Sequence, residues 1–274
     1  MRILRVFFPL LVTLLSLLSA CNTDRKDKTS QPASADAPPA INYGVVATYP
    51  HDTNSFTEGL LMHQGMLYES TGSPLEMPNT RSLAGVLNLQ TGKIDPKVEI
   101  DRNLFGEGIT FLNHKLYQLT YREKKGYIYD ATTFRKTGEF ALTTPEGWGL
   151  TTDGIHLIMS DGTDKLIYLD SATLKPVKTI HVHDHTGPVR NVNELEYIHG
   201  FIYANLYTTN YILKIDPATG TIAGRIDLTS LAMDARSRNE NSLEMNGIAY
   251  DSASRNVYVT GKFWPSVYAI KFNH

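Results

Sequence analysis

One short motif recurs along the chain and decides its fold. It reads Phe56-Thr57-Glu58-Gly59-Leu60 in its first copy and Phe105-Gly106-Glu107-Gly108-Ile109 in its second. Three further copies follow, namely Gly147-Trp148-Gly149-Leu150, Asn193-Glu194-Leu195-Glu196-Tyr197 and Asn246-Gly247-Ile248-Ala249-Tyr250. Successive copies lie 41 to 53 residues apart, which is close to the length of a propeller blade. The sequence therefore predicts five structural units.

Each copy opens a series of short alternating segments. An apolar pair such as Leu67-Tyr68 comes first, and a longer run such as Tyr127-Ile128-Tyr129-Asp130 follows it. Apolar residues with a period of two, in short stretches interrupted by Gly, Asp and Asn, are typical of short antiparallel strands. The predicted fold is all-β, a five-bladed β-propeller. A β-sandwich also contains many short strands, but it does not require units that resemble one another.

The fifth unit is incomplete. After Val267-Tyr268-Ala269-Ile270 too few residues remain before His274 for a fourth strand, whereas residues 42–49, ahead of the first copy, have strand composition. We expect this N-terminal strand to complete the last blade. The ring would then be closed by the N-terminal strand, which removes two exposed sheet edges.

The segment ahead of the repeats has the features of a lipoprotein signal. Arg2 and Arg5 precede an apolar run over residues 6–18, shorter than the about 20 residues of a membrane span. The run ends at Leu18-Ser19-Ala20-Cys21, which resembles the bacterial lipobox, and Cys21 is the only cysteine. The predicted organisation is a signal peptide over residues 1–20, a flexible tether over 21–40 with lipidated Cys21, and a propeller over 41–274.

Such a chain belongs in the bacterial cell envelope, where it contacts the membrane through its lipid anchor only. Asn22, rather than Asp, follows the cysteine, which favours the outer membrane facing the periplasm in a Gram-negative cell. The alternative is an ordinary secreted protein in which Cys21 is incidental.

Composition excludes several functions. With 26 basic and 28 acidic side chains, no nucleic acid is expected as a partner. The sequence contains no phosphate loop, dinucleotide fingerprint, Cys-x-x-Cys pair or Gly-x-Ser-x-Gly motif. We expect no cofactor, no metal and a monomer. The run from His181 to His185 suggests a metal because alternate strand residues face the same way, but it lies in a predicted loop and no second cluster completes it. His51, His63 and His114 are expected near turns and exposed.

Meander geometry gathers polar side chains at one rim. The start of a blade's innermost strand and the end of its second strand share that rim. The starts bring Glu58, Glu107, Trp148, Asn193 and Asn246, and the returning ends bring Tyr121, Tyr207 and Lys262. One mouth would hold carboxylates, an ammonium group, carboxamides and aromatic rings. Any one of them could be a solvated channel residue, so their occurrence together carries the prediction.

Taken in order, the motifs resemble those of the plant and bacterial glutaminyl-peptide cyclotransferases, or glutamine cyclotransferases. The resemblance covers about residues 41–272 and includes the phrases at Phe56, Phe105 and Glu146, and those at Pro188 and Met245. It implies a propeller enzyme of the acyltransferase (aminoacyltransferase) class. Such an enzyme converts the N-terminal glutamine of peptides or proteins to pyroglutamate and releases ammonia.

The resemblance also implies roles for the rim residues. Glu107 is the expected proton shuttle, and Glu58 the counter-ion of the substrate amine. Lys262 would relay a proton or stabilise negative charge, and Asn193 would hydrogen-bond the reacting carboxamide. Substrate-binding residues are expected to be Trp148, Tyr121, Tyr207 and Phe56. Tyr121 and Tyr207 stand where the family is expected to carry tryptophan, which bears on substrate preference. Asn246 is given no role.

Two other functions stay open from the sequence. A non-catalytic envelope propeller could bind peptides or glycans, which needs the aromatic residues but not Glu107 together with Lys262. A scaffold could instead use the rim to bind partner proteins.

Overall fold

The computed structural model describes residues 37–274. The predicted signal peptide, most of the predicted tether and Cys21 lie outside this range. Within it, the secondary structure is β apart from one helix, α1 (Thr229–Arg238). No helix among these residues is both long enough and apolar enough to cross a membrane.

Five four-stranded antiparallel sheets form the blades of a five-bladed β-propeller, as predicted. Blade 1 contains β2 (Thr57–His63), β3 (Met66–Thr71), β4 (Leu83–Asn88) and β5 (Lys93–Glu99). Blade 2 contains β6 (Gly106–Leu112), β7 (Lys115–Thr120), β8 (Lys125–Asp130) and β9 (Lys136–Ala141). Blade 3 contains β10 (Leu150–Thr152), β11 (His156–Ser160), β12 (Lys165–Asp170) and β13 (Pro176–His181). A small hairpin of β14 (His183–Asp184) and β15 (Gly187–Pro188) follows.

Blade 4 contains β16 (Val192–Ile198), β17 (Phe201–Leu206), β18 (Tyr211–Ile215) and β19 (Ile222–Asp227). Blade 5 takes strands from both ends of the described chain: β20 (Met245–Asp251), β21 (Asn256–Gly261), β22 (Ser266–Phe272) and, outermost, β1 (Tyr43–Pro50). β1 pairs antiparallel with β22 from Tyr43 opposite Phe272 to Pro50 opposite Ser266. Whether this pairing is what keeps the ring closed stays a prediction.

The hydrophobic core lies between neighbouring blades. Apolar residues alternate along the strands, so each blade has an apolar face that is buried against the next blade. This packing gives five apolar clusters, one at each seam between neighbouring blades. The innermost strands β2, β6, β10, β16 and β20 contact one another in ring order. Gly149 shows how close they come, because a Cβ there would lie 2.2 Å from the carbonyl oxygen of Asn193. This close approach explains the glycine in the repeated motif.

One rim of the ring, here called the turn rim, carries the tight turns of the blades. The turns between third and fourth strands are each closed by a side-chain oxygen that accepts backbone N–H groups. Asn88 Oδ1 accepts from Gln90 (2.8 Å) and Thr91 (3.1 Å). Asp130, Asp170 and Asp216 do the same in the next three blades. Asn and Asp favour such turns because their short side chains reach the backbone two residues on.

Candidate active site

The opposite rim, here called the site rim, holds a small cavity of about 210 Å³. All eight side chains predicted for catalysis and substrate binding line it. They are Phe56, Glu58, Glu107, Tyr121, Trp148, Asn193, Tyr207 and Lys262, joined by Phe105. The structure therefore brings the predicted residues together, and their individual roles stay predictions. Cys21 lies outside the described residues.

Irregular strand pairing presents the polar members of this set. In four blades the ladder between the first two strands shifts register where the site residue stands, at Glu58, Glu107, Asn193 and Asn246. An extra residue in one strand bends it and re-aims a side chain. In blade 3 the ladder starts only at Leu150, just after Trp148. The variable residue of the repeated motif thus occupies the position where its blade departs from regular pairing.

Glu58 and Lys262 form a buried ion pair. Glu58 Oε1 lies 2.8 Å from Lys262 Nζ, and Glu58 Oε2 accepts a 3.0 Å hydrogen bond from Asn246 Nδ2. Burial raises the pKa of Glu58 to about 7, against the opposing effect of Lys262. For Lys262 burial lowers the pKa, but the carboxylates of Glu58 and Glu107 outweigh this and raise it overall. Lys262 therefore remains a cation, and its Nζ also lies 4.4 Å from the centre of the Phe56 ring.

Glu107 is the carboxyl group of the cavity whose burial is least offset by hydrogen bonds or ion pairs. It is 4% exposed, and within the described residues its buried Oε2 has no hydrogen-bond partner. Burial, and next the charge of Glu58, raise the pKa of Glu107 well above its usual range. A buried carboxyl group with a raised pKa, and with one oxygen that lacks a hydrogen-bond partner among the described residues, is suited to exchange a proton with a ligand.

The side chains of Asn193 and its neighbour Glu194 have different surroundings. Asn193 lines the cavity, and its buried Oδ1 has no partner among residues 37–274. The Glu194 carboxylate instead accepts a 3.1 Å hydrogen bond from the Leu60 N–H of blade 1. Burial raises the pKa of Glu194 well above its usual range. Asn193 is thus available to a ligand, whereas Glu194 links innermost strands.

Aromatic rings form the wall of the cavity. Trp148 packs edge to face on Tyr207, with ring centres 5.4 Å apart, and Phe105 packs edge to face on Phe56 at 5.8 Å. The indole N–H of Trp148 donates to Glu146 Oε2 at 3.0 Å, which fixes the ring and leaves its apolar surface for a ligand. Such a wall suits an aliphatic stem between two polar ends.

A buried histidine lies behind this wall, which corrects the expectation that His51 is exposed. His51 Nε2 lies 3.1 Å from both oxygens of Glu69, its Nδ1 lies 2.8 Å from the Trp264 carbonyl, and Thr57 Oγ1 donates to Glu69 at 2.8 Å. Burial lowers the pKa of His51, but Glu69 outweighs it and raises the value above 6.5. His63, which stacks on Phe111 at 3.8 Å, is half-buried, and His114 is exposed as expected.

The histidine run contributes to local structure. His181 Nδ1 bonds Asp164 Oδ2 at 2.7 Å, and His183 Nε2 lies 3.5 Å from Thr221 Oγ1. No group of three His, Cys, Asp or Glu side chains suited to a metal occurs in the described part of the chain.

Phe105, the contact that Asn246 makes with Glu58, and the pairing of His51 with Glu69 were not predicted from the sequence. Phe105 opens the second motif copy as Phe56 opens the first, so this correspondence could have identified it. Asn246 holds Glu58, and it stands at the variable position of the fifth copy. Nothing in the sequence pairs His51 with Glu69, since only the fold brings a loop and a strand of blade 1 together with Trp264.

Comparisons with known proteins agree on one family. A family model described as glutamine cyclotransferase matches residues 12–272. A glutaminyl-peptide cyclotransferase from Arabidopsis thaliana is 38% identical over 230 residues, covering 83% of this chain and 70% of that protein. The crystal structure of Myxococcus xanthus glutaminyl cyclase superposes with a TM-score of 0.78 at 30% identity, over 86% of this chain and 99% of that one.

Proposed function

The chain belongs to the glutamine cyclotransferase family, and from this we propose that it converts the N-terminal glutamine of peptides and proteins to pyroglutamate with release of ammonia. The observation that carries the proposal is the cavity itself, where Glu107 and the Glu58–Lys262 pair lie within an aromatic wall. A propeller that only binds peptides or glycans is not favoured, because it has no need for this buried arrangement of charges.

The reaction is an acyl transfer within one residue. The α-amine nitrogen bonds to the γ-carboxamide carbon, a tetrahedral intermediate forms, and the bond from that carbon to the amide nitrogen breaks. The acyl group passes from the amide nitrogen, which leaves as ammonia, to the α-amine. This transfer places the enzyme among the acyltransferases that transfer aminoacyl groups. Because both reacting groups belong to one side chain and its own backbone, holding the residue folded supplies much of the rate.

Glu107 is the proposed proton shuttle. The attacking amine loses one proton and the leaving nitrogen gains one, so a single carboxyl group can perform both transfers and end as it began. Burial and the charge of Glu58 raise the pKa of Glu107 well above the usual range of a carboxyl group, which makes its carboxylate a stronger base and favours a role in proton transfer. The buried, unpartnered Oε2 supplies the site of transfer.

Three polar side chains are proposed to orient the substrate and stabilise charge. Asn193 can donate through Nδ2 to the carboxamide oxygen, where negative charge develops, and accept through Oδ1 from the carboxamide nitrogen. Lys262 supplies fixed positive charge in a site sheltered from water. Glu58 holds Lys262 and is the proposed counter-ion of the substrate amine while it binds as an ammonium group. That group gives one proton to water before the neutral amine attacks. Phe56, Tyr121, Trp148 and Tyr207 are proposed to contact the glutamine stem.

The test is turnover by the purified, folded protein. A peptide that begins with Gln is incubated with it, and ammonia release and the loss of one ammonia from the peptide mass are followed. The matched controls are the same peptide with an acetylated amine, which lacks the nucleophile, and a peptide that begins with Asn. We expect cyclisation of the Gln peptide alone. Turnover no faster than the spontaneous reaction would refute the enzymatic proposal.

We further propose that the enzyme acts in the bacterial envelope as a lipoprotein anchored through Cys21, at the outer membrane facing the periplasm in a Gram-negative cell. The support is the sequence Leu18-Ser19-Ala20-Cys21 with the polar tether that follows. Expression of the full chain and of Cys21→Ser in a bacterium tests it. The parent protein is expected in the membrane fraction, with an acylated N-terminus by mass, and the variant is not. Equal distribution of the two would contradict the anchor.

A further inference from the structure

Two long connections stand out on the site rim. Blades 2 to 5 join their second and third strands by four residues each, at 121–124, 161–164, 207–210 and 262–265, whereas blade 1 uses residues 72–82. The connection from blade 4 to blade 5, residues 228–244, is the longest between described blades and contains α1. Neither insertion is needed to complete a blade.

The two insertions meet around one groove. It has a volume of about 550 Å³ and takes Asn79 from the 72–82 loop, Asn239 and Asn241 from the 228–244 connection, and Asn54 from the segment before β2. Phe263 also lines it. We call this feature the amide groove.

The amide groove adjoins the catalytic cavity. The Phe263 ring packs edge to face on Phe56, with centres 5.3 Å apart, and Phe56 lines the cavity. Phe263 also follows Lys262 directly and has a φ of 61°, a left-handed conformation that is unfavourable for a large side chain. Ser55 O accepts its N–H at 2.8 Å, and Asn239 Nδ2 donates to its carbonyl at 2.7 Å. Contacts around the groove therefore hold the wall that separates it from the cavity.

The wall contributed by blade 1 is preorganised. The Arg102 guanidinium donates to Ser73 Oγ (3.0 Å) and to the carbonyls of Thr80 (2.6 Å), Met77 (3.0 Å) and Pro74 (3.2 Å). One side chain thus fixes the 72–82 loop at several points along its length. Rigid binding surfaces lose less entropy when a ligand binds.

The size of the cavity limits how much of a peptide it can hold. At about 210 Å³ it is smaller than the roughly 300–1,000 Å³ of typical ligand sites, and it suits one glutamine residue. Because the reacting amine and side chain lie inside, the carbonyl of that residue and the chain beyond must leave through the mouth. Carboxamides that donate and accept match the N–H and C=O groups of a peptide main chain.

We propose that the amide groove binds the residues that follow the N-terminal glutamine of the substrate, with Asn79 and Asn241 contacting their main chain. This inference rests on the proposed function. Glu240 is the charged residue of the groove, and neither Lys nor Arg lines it. The groove therefore favours substrates with a basic residue shortly after the glutamine and disfavours acidic ones. The substrates are peptides or protein termini with an accessible extended start.

The experiment compares substrates of increasing length on the purified full-length protein. Glutamine amide and peptides of sequence Gln-Ala to Gln-Ala-Ala-Ala are assayed for kcat/KM. We expect the value to rise with length, mainly through KM. In Asn79→Ala/Asn241→Ala the ratio of kcat/KM for the tetrapeptide to that for glutamine amide should fall about tenfold, since about two hydrogen bonds are lost. Asn273→Ala, an exposed residue at the turn rim, is the matched control and should keep the ratio.

Charge gives a second, independent readout. The parent protein should prefer Gln-Ala-Lys-Ala over Gln-Ala-Glu-Ala, and Glu240→Lys should reverse the order. If glutamine amide is cyclised but length and charge have no effect, the groove proposal is overturned while the proposed function stands. If folded protein does not cyclise glutamine amide or any Gln peptide, the proposed function itself fails.

Discussion

The two rims of the propeller use the same repeat in opposite ways. At the turn rim, Asn88, Asp130, Asp170 and Asp216 close equivalent turns with equivalent hydrogen bonds. At the site rim, equivalent positions carry Glu58, Glu107, Trp148, Asn193 and Asn246, and the connections differ in length. The repeat thus keeps the residues that folding needs uniform and varies the residues that the site needs. Four of the five site positions lie where the strand ladder is irregular, so variation there disturbs regular pairing little.

The largest expected effect comes from Glu107→Gln at the site rim. Removing the proton shuttle should lower kcat by about 10²–10⁴-fold, while the Tm stays near that of the parent, because a neutral amide replaces a poorly solvated carboxyl group. Initial rates with a Gln peptide and thermal melts measure the two quantities. Glu194→Gln is the matched control, since it makes the same change at a buried glutamate outside the cavity, and it should retain turnover. Unfolding of Glu107→Gln would instead show that Glu107 is structural.

The next largest effect concerns the stability of the ring that carries both rims, and whether β1 closes it. A chain that starts at His51 lacks β1 and leaves the edge of β22 unpaired, whereas a chain that starts at Ile41 keeps both. At about 1 kcal/mol per hydrogen bond, the free energy of unfolding should fall by roughly 3 kcal/mol or more in the shorter chain. Denaturant titration of the two chains measures the difference. Equal stability would argue against closure by the N-terminal strand.

A smaller effect concerns Glu194, which links the innermost strands beside the site. Burial raises the folded-state pKa of Glu194 above its ordinary value of 4.5, so the folded state binds the proton more tightly than the unfolded state does. Its contribution to stability is fully present below pH 4.5 and is lost as pH rises through the folded pKa. Glu194→Gln should therefore reduce the loss of stability with rising pH by up to about 1.4 kcal/mol per pH unit. Denaturant midpoints measured from pH 5 to pH 8 for parent and variant test this, and parallel curves would contradict it.

The smallest effect belongs to the turn rim. Asn88→Ala removes the acceptor for two backbone N–H groups and should lower the free energy of unfolding by about 1 kcal/mol. The variant should leave kcat and KM unchanged, because the turn lies across the ring from the cavity. A change in KM would mean that the rims are coupled, and the contrast between them would have to be abandoned.

The fold and most of the site were predictable from the sequence because both depend on local patterns. Alternating apolar residues specify strands, and Asn or Asp followed by Thr specifies the turns of the turn rim. Once a motif recurs five times, strand direction alone assigns Glu58, Glu107, Trp148, Asn193 and Lys262 to one rim. Phe105 was within reach of the same reasoning, since it occupies the position of Phe56.

The tertiary structure decided what depends on residues distant in sequence. Asn246 meets Glu58 across the seam between blades 5 and 1, and His51 meets Glu69 and Trp264 in the interior. The raised pKa of Glu107 arises from burial and from the neighbouring charge of Glu58, and the amide groove arises where two insertions meet. The periodicity of the sequence indicates how a residue is oriented within its own strand. Its desolvation and its pairing depend on which other strands surround it, and only the assembled propeller determines those neighbours.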